Sequence, residues 1–161
     1  MAVKDLSRPI FVAVAYVGRH AHEVLSLEVG DSLVCDGSDA NLHAGAVSPA
    51  SLQYYVDRGA ECWSLPGLHA KVLVVGMQRR QAIVGSANLS RRSRDDLGEA
   101  AIRTDDPDVV SAVDEQLAYW IAQAEKIDQV WLDRAAASYK PPPTAGPGRT
   151  ARSRLEAPAC G

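Results

Sequence analysis

Apolar residues along the chain fall into two patterns, short continuous runs and runs spaced at three and four. The short runs end at turn signals such as Gly18 and the sequence Asp36-Gly37-Ser38. Short apolar runs bounded by such residues are typical of strands. We predict six of them, at residues 9–17, 31–35, 60–65, 71–75, 81–84 and 99–103. Because these runs are apolar almost throughout, we expect a sheet covered on both faces.

Two segments show the helical spacing instead. Ser48 is suited to a helix N-cap, Pro49 to the first helical position, and Gly59 to the end of the helix. This helix is expected to connect parallel strands. Asp106 and Pro107 open the longest predicted helix, which is expected to pack on the sheet or on a second subunit. Its apolar face comprises Val110, Val113, Leu117, Trp120 or Ile121, Ala124 and Ile127.

The alternation of strands and helices predicts an α/β fold with a mixed, mostly parallel sheet flanked by helices. Residues 1–137 are expected to form the domain. Residues 138–161 contain five of the nine prolines and almost no bulky apolar residue, so we predict a flexible tail there.

Composition narrows the possible functions. Seventeen basic and twenty acidic residues give a formal charge of −3, which argues against nonspecific coating of nucleic acid. Any anionic substrate must then be held by local charges. The apolar run from 10 to 17 is too short to span a bilayer, and we expect a cytoplasmic protein without stable membrane association. Cys35 and Cys62 are expected to be reduced core residues, since the cysteine count is odd.

Candidate chemistry is concentrated between residues 69 and 99. His69 and Lys71 are two residues apart on an extended segment, so their side chains project to the same side. Gly85-Ser86-Ala87-Asn88 ends the next strand, and Glu99 follows eleven residues later. An imidazole, an ammonium, a hydroxyl and a carboxamide that converge on one place are suited to binding a phosphate ester.

The order His-x-Lys, Gly-Ser-x-Asn and a downstream acidic residue resembles the phospholipase D superfamily. The resemblance implies that family's fold and a metal-independent phosphodiesterase that needs no cofactor. His69 would be the nucleophile, or its partner acid, and would form a phosphohistidine. Lys71 and Asn88 would bind phosphoryl oxygens with support from Ser86. Glu99 would accept a hydrogen bond from the other ring nitrogen of a histidine.

Members of this superfamily with two such motifs build one site from both, and this chain carries one. The resemblance therefore implies a homodimer that brings two copies of His69 together. Because small single-motif relatives tend to be nucleases, the resemblance makes DNA or RNA the favoured substrate. The alternatives are a noncatalytic nucleic-acid or partner-binding module and, less favoured, a phospholipase.

Some residues depart from the motif or have more than one interpretation. Gly76 occupies the position where the family has an aspartate. Five arginines flank the motif in two segments and either hold further phosphates or are simply solvated; they are Arg79, Arg80, Arg91, Arg92 and Arg94. His20 and His22 have the spacing of a metal-binding pair but no evident third ligand, so a solvated loop or helix start is preferred. His43 has no predicted role.

Overall fold

A seven-stranded mixed sheet organises the chain, and the computed structural model describes residues 6–141. The strands, in chain order, are β1 (Ile10–Val14), β2 (Ser32–Cys35), β3 (Glu61–Ser64), β4 (Lys71–Val75), β5 (Gln81–Gly85), β6 (Ala101–Thr104) and β7 (Glu125–Lys126). Their order across the sheet is β6-β5-β4-β1-β2-β3-β7. All six predicted strands are present, and the predicted α/β class is confirmed.

The strand directions differ from the prediction of a mostly parallel sheet. Only β1, β2 and β3 pair in parallel, whereas the other four pairings are antiparallel. For β4 and β5 the reason is their short connection, because strands joined by a few residues must reverse direction.

Six helices flank the sheet within the described residues. They are α1 (Ala21–Val24), α2 (Asp39–His43), α3 (Pro49–Asp57), α4 (Arg91–Asp95), α5 (Pro107–Gln123) and α6 (Gln129–Ser138). The predicted crossover helix is α3, which connects the parallel strands β2 and β3. Ser48 occupies its N-cap as predicted, although the buried Ser48 hydroxyl forms no hydrogen bond. At α5 the Asp106 carboxylate caps the helix by accepting hydrogen bonds from the amides of Asp108 and Val109.

The prediction that α5 continues to Ile127 is wrong. The helix ends at Gln123, and the chain then pairs with β3 as the short strand β7. Ile127 is 2% exposed and belongs to the cluster of buried residues that includes Trp131 of α6. The helical spacing therefore continued by chance into a different element, and α6 was not predicted.

Buried side chains form two clusters. One contains Val12, Val14 and Tyr55 together with residues of α6, while the other contains Ala13, Val74 and Leu117 of α5. Alternate residues of β1 thus face different clusters, as expected of a strand buried on both sides. The outer strand β6 is less covered, since Ile102 is 74% exposed.

Cys35 and Cys62 are buried free thiols, as predicted. Burial raises the pKa of Cys62 to about 12 and raises that of Cys35 as well. Ser138 is the last residue of α6, and the Lys140 amide donates a hydrogen bond to the Leu42 carbonyl. The remainder of the predicted tail, residues 142–161, and with it Cys160, lies outside the described residues.

Candidate active site at one end of the sheet

Pairing between the central strands β1 and β4 positions His69. The two strands are antiparallel, with Val14 opposite Lys71. The pairing continues beyond both strands, since the Ala15 amide donates a hydrogen bond to the Ala70 carbonyl at 3.0 Å. Continuing the same register by one residue puts Tyr16 opposite His69. The His69 side chain is exposed there, at the end of the sheet where β1 ends and β4 begins.

Lys71 begins β4, and its ammonium group donates a hydrogen bond to the His69 carbonyl at 3.2 Å. Within the described residues the ammonium has no carboxylate partner closer than the ion-pair limit of 4.0 Å. Its charge is therefore available to an anion beside His69.

Asn88 is held by its backbone amide and by its side-chain oxygen. The side-chain oxygen accepts a hydrogen bond from the Tyr16 backbone amide at 3.2 Å. The backbone amide of Asn88 donates one to the Ser93 hydroxyl, also at 3.2 Å. The side-chain nitrogen donates to no residue of the described part, so both of its donors remain available. Such donors are suited to the anionic oxygens of a phosphate.

The loop that carries Asn88 is joined to the end of β1. The Gly18 amide donates a hydrogen bond to the Leu89 carbonyl at 2.8 Å, and Val17 and Leu89 form a parallel bridge. A β-carbon on Gly18 would lie 3.1 Å from that of Ser90, which is closer than most β-carbons approach a neighbour. The small residue thus allows the two segments to pack tightly.

Ser86 and Glu99 bind each other. The Ser86 hydroxyl donates a hydrogen bond to the Glu99 carboxylate and accepts one from the Ala100 amide at 3.1 Å. In one chain, therefore, Glu99 holds Ser86 and not the ring of His69. The expected support of phosphoryl oxygens by Ser86 would act through its position, since its hydroxyl proton is already directed to Glu99.

Tyr16 is the residue that sequence analysis missed. Its ring and that of His69 meet at a centroid distance of 6.2 Å and an interplanar angle of 76°. Its backbone amide is the donor to Asn88. The signal would have been an aromatic residue at the end of the first strand, but its meaning depends on the β1–β4 register, which the sequence does not reveal.

The other histidines lie in different surroundings. His20 Nδ1 is 3.2 Å from a carboxylate oxygen of Glu23, and the His22 ring packs against Tyr54 at a centroid distance of 4.5 Å. His43 is exposed at the end of α2. Each of the three thus has an environment separate from the His69–Tyr16 pair.

The arginines differ in position and in pairing. Arg79 and Arg80 were expected to flank the site, and this is wrong: their turn follows β4, at the opposite end of the sheet from His69. Arg80 also pairs with Asp114 at 2.6 Å. Partial burial raises the pKa of Asp114, an effect that the charge of Arg80 only partly offsets.

The arginines of α4 follow directly after the Asn88 loop. Arg91 forms hydrogen bonds to both carboxylate oxygens of Glu23 and so lowers the pKa of that carboxyl. Arg94 pairs with its neighbour Asp95. Arg92 of this helix and Arg19, next to Gly18, form no ion pair with any residue of the described part. Near the Asn88 loop, these two guanidinium groups therefore carry positive charge that no carboxylate of the described part neutralises.

Gly76 lies far from the site. It has φ +88°, and a β-carbon there would lie 2.8 Å from the Arg79 carbonyl oxygen. Lys71 is the first residue of β4 and Gly76 follows the last, so the two are five steps apart, about 16 Å along an extended strand. An aspartate would be strained at this turn, and its absence leaves the surroundings of His69 unchanged.

None of the helices in the described part of the chain is both long and apolar enough to cross a membrane.

The comparison with protein families identifies one family. A family model described as cardiolipin synthase, PLD-like domain, matches residues 31–120, a range that includes His69, Lys71, Asn88 and Glu99. No curated protein sequence matches the chain.

Two solved structures are similar in fold. One is Nuc from Salmonella typhimurium, a phospholipase D family member, with a TM-score of 0.60 and 15% identity over 80% of this chain and 87% of that one. The other is NucT from Helicobacter pylori, with a TM-score of 0.57 and 14% identity over 73% and 81%. At such low identities, these structural similarities show a shared fold and nothing more.

Proposed function

The chain belongs to the phospholipase D superfamily, and from this premise we propose that it is a metal-independent phosphodiesterase that cleaves DNA or RNA as a homodimer in the cytoplasm. The observation that carries the proposal is the arrangement around His69. An exposed imidazole lies at one end of the sheet, with an ammonium and a carboxamide on neighbouring segments, and within the described residues the ammonium has no carboxylate partner and the carboxamide nitrogen has no acceptor. The resemblance to a superfamily of phosphodiesterases gives this arrangement its chemistry.

In the proposed reaction an imidazole nitrogen of His69 attacks phosphorus. A phosphorus–nitrogen bond forms and the bond to the leaving oxygen breaks, while a second imidazole donates a proton to that oxygen. In the second step the second imidazole accepts a proton from water, the water oxygen bonds to phosphorus, and His69 leaves. Lys71 and the Asn88 side-chain nitrogen would stabilise the negative charge on the phosphoryl oxygens in both steps.

A second copy of the chain is the proposed source of the second imidazole. The other histidines of the described residues have the separate environments given above, and His69 stands on an open surface. A two-fold axis beside His69 would juxtapose the two rings. Glu99, which binds Ser86 in its own chain, would then be placed to orient His69 of the second copy by accepting a hydrogen bond from its ring.

Nucleic acid is the substrate class that local charge favours. Arg19 and Arg92 extend from the segments that hold Asn88, and both are without ion pairs in the described part. These guanidinium groups would bind the phosphates on either side of the scissile phosphate. The chain as a whole is slightly acidic, so such binding would be local.

The decisive test is cleavage in the presence of EDTA. Purified protein is incubated with labelled single-stranded DNA, RNA and bis(4-nitrophenyl) phosphate, and His69→Ala is compared with the control His43→Ala. We expect wild type and the control to cleave at least one of these, and His69→Ala to lose about 10³-fold or more in rate. Sedimentation equilibrium should show a dimer.

Three results would contradict parts of the proposal. Cleavage that persists in His69→Ala would exclude His69 as nucleophile, and loss of wild-type cleavage in EDTA would exclude metal independence. Binding of DNA or RNA without cleavage, unchanged in His69→Ala, would identify a noncatalytic binding module instead.

A further inference from the structure

Tyr16 contacts both functional halves of the site, although no motif includes it. Its ring meets the ring of His69, while its backbone amide holds the oxygen of Asn88. We propose that Tyr16 is a positioning residue that fixes the His69 imidazole and the Asn88 carboxamide relative to each other. This inference rests on the proposed function for its catalytic consequence, but its structural content is independent of it.

The ring contact is of a kind that restricts orientation. Aromatic rings attract when the positive edge of one meets the negative face of the other, at centroid separations of roughly 4.5–7 Å. The 76° angle and 6.2 Å separation of Tyr16 and His69 fall in this class. His69 is exposed and precedes β4, and among the described residues the contact with Tyr16 is its one aromatic contact. The tyrosine therefore limits the rotation of an otherwise open side chain.

The backbone of Tyr16 is itself held rigidly. The preceding residue, Ala15, donates a hydrogen bond to Ala70 and accepts one from the Asp36 amide at 3.2 Å. Tyr16 thus follows a residue clamped between β4 and the end of β2. A ring and an amide attached to such a point can serve as a fixed reference for other groups.

The two contacts have separable roles. The amide selects which end of Asn88 faces the site, and this bond does not depend on the Tyr16 side chain. The ring acts on His69 alone. Because phosphoryl transfer needs nucleophile and phosphate donors in a fixed relation, and small displacements reduce rates strongly, we expect loss of the ring to slow the reaction without removing the substrate contacts.

The chain offers a matched control for this test. His22 and Tyr54 form another histidine–tyrosine pair, 4.5 Å apart and tilted by 30°, on α1 and α3. The variants are Tyr16→Leu, Tyr16→Phe and Tyr54→Leu in the full chain. Ring-proton NMR resonances of His69 and His22 are recorded for each, together with kcat and KM on bis(4-nitrophenyl) phosphate.

We expect Tyr16→Leu to shift the His69 resonances and leave those of His22 in place, and Tyr54→Leu to do the reverse. On the chromogenic ester, kcat should fall about 10- to 100-fold in Tyr16→Leu, with KM changed much less. Tyr16→Phe keeps the ring, so its His69 resonances and its kcat should both be close to those of wild type.

Two outcomes would overturn the inference. One is a set of His69 resonances that Tyr16→Leu leaves unchanged; the other is a Tyr16→Phe variant as slow as Tyr16→Leu, which would make the hydroxyl the active group. Nuclear Overhauser effects between the two rings in wild type decide the contact even if Tyr16→Leu does not fold. A wild type that cleaves no phosphodiester would refute the proposed function, while the NMR comparison would still decide the role of Tyr16.

Discussion

The two ends of the sheet differ in how some of their charged groups are paired. At the end beside His69, Lys71 has no carboxylate partner in the described part and the Asn88 side-chain nitrogen keeps two donors. At the opposite end two carboxylates have basic partners. Arg80 binds Asp114, and the buried Asp31 binds Arg8 and accepts hydrogen bonds from the amides of Ile10 and Glu28 at 2.8 and 2.9 Å.

This difference separates function from stability between the two ends of the sheet. Paired, buried groups contribute to the free energy of unfolding, because each would otherwise remain without a partner. Unpaired groups at an exposed surface contribute little to folding but are available to a ligand. Changes at the Asp31 end should therefore alter stability alone, and changes near His69 should alter activity alone.

The largest effect on stability is expected for Asp31→Asn. The carboxylate is 0% exposed and accepts hydrogen bonds from two backbone amides, whereas the side-chain nitrogen of an asparagine would be a donor facing one of these donors. We expect the free energy of unfolding to fall by about 3 kcal/mol in urea titrations, because a buried acceptor of two backbone hydrogen bonds is lost, while the partly exposed Arg8 can be solvated instead. Asp39→Asn, at an exposed position of α2, is the control and should change little. Reduced kcat in the folded Asp31→Asn protein would break the separation of the two ends.

A smaller effect is expected for Gly76→Asp, which restores the aspartate of the family motif. The left-handed backbone and the Arg79 carbonyl oppose a side chain there, so the unfolding free energy should fall by about 2–3 kcal/mol. Gly30→Asp is the matched control. Gly30 has the same φ of +88° but no atom within 4 Å of the added β-carbon, so about 1 kcal/mol is expected.

The same variant tests whether the missing aspartate limits activity. Since Gly76 lies about 16 Å from Lys71 along β4, the rate per folded Gly76→Asp molecule should equal that of wild type. A rate increase would show that the far end of the sheet does control the chemistry.

Local patterns predicted correctly the strands that carry the candidate site. Lys71 begins β4 and Gly85 ends β5, as expected, because apolar runs and turn residues are local properties. Strand registers are not local. The β1–β4 register brings Tyr16 to His69, and the β5–β6 pairing brings Ser86 to Glu99, so neither contact could be predicted.

Closeness in sequence was also misleading where the chain reverses. Arg79 and Arg80 are only eight and nine residues after Lys71, yet β4 carries them to the other end of the sheet. In the same way the apolar spacing of α5 extended to Ile127, although the chain leaves the helix at Gln123 to pair with β3. Pattern alone does not show where an element ends when the next residues happen to continue it.

The smallest predicted effect concerns the Glu23–Arg91 pair beside the site. Both side chains are partly exposed, so Glu23→Gln should leave the unfolding midpoint unchanged within measurement. It would, however, release Arg91 next to Arg92. Binding of labelled single-stranded DNA, measured by anisotropy, should tighten slightly. The slope of log K against log salt concentration should become more negative by about 0.7, the value for one additional phosphate contact. Glu125→Gln, which frees Arg134 at the opposite edge of the sheet, should not change it.

Acidity should reproduce the effect of Glu23→Gln in the unmodified protein. Arg91 lowers the pKa of Glu23, so the ion pair is fully formed above the ordinary carboxyl pKa and is lost as the pH falls through the lowered value. The salt dependence of wild type should therefore approach that of Glu23→Gln in that acidic range and differ from it at neutral pH. If the two proteins show the same salt dependence at pH 7, Arg91 is already available to DNA, and the paired arginines belong functionally with the open end of the sheet.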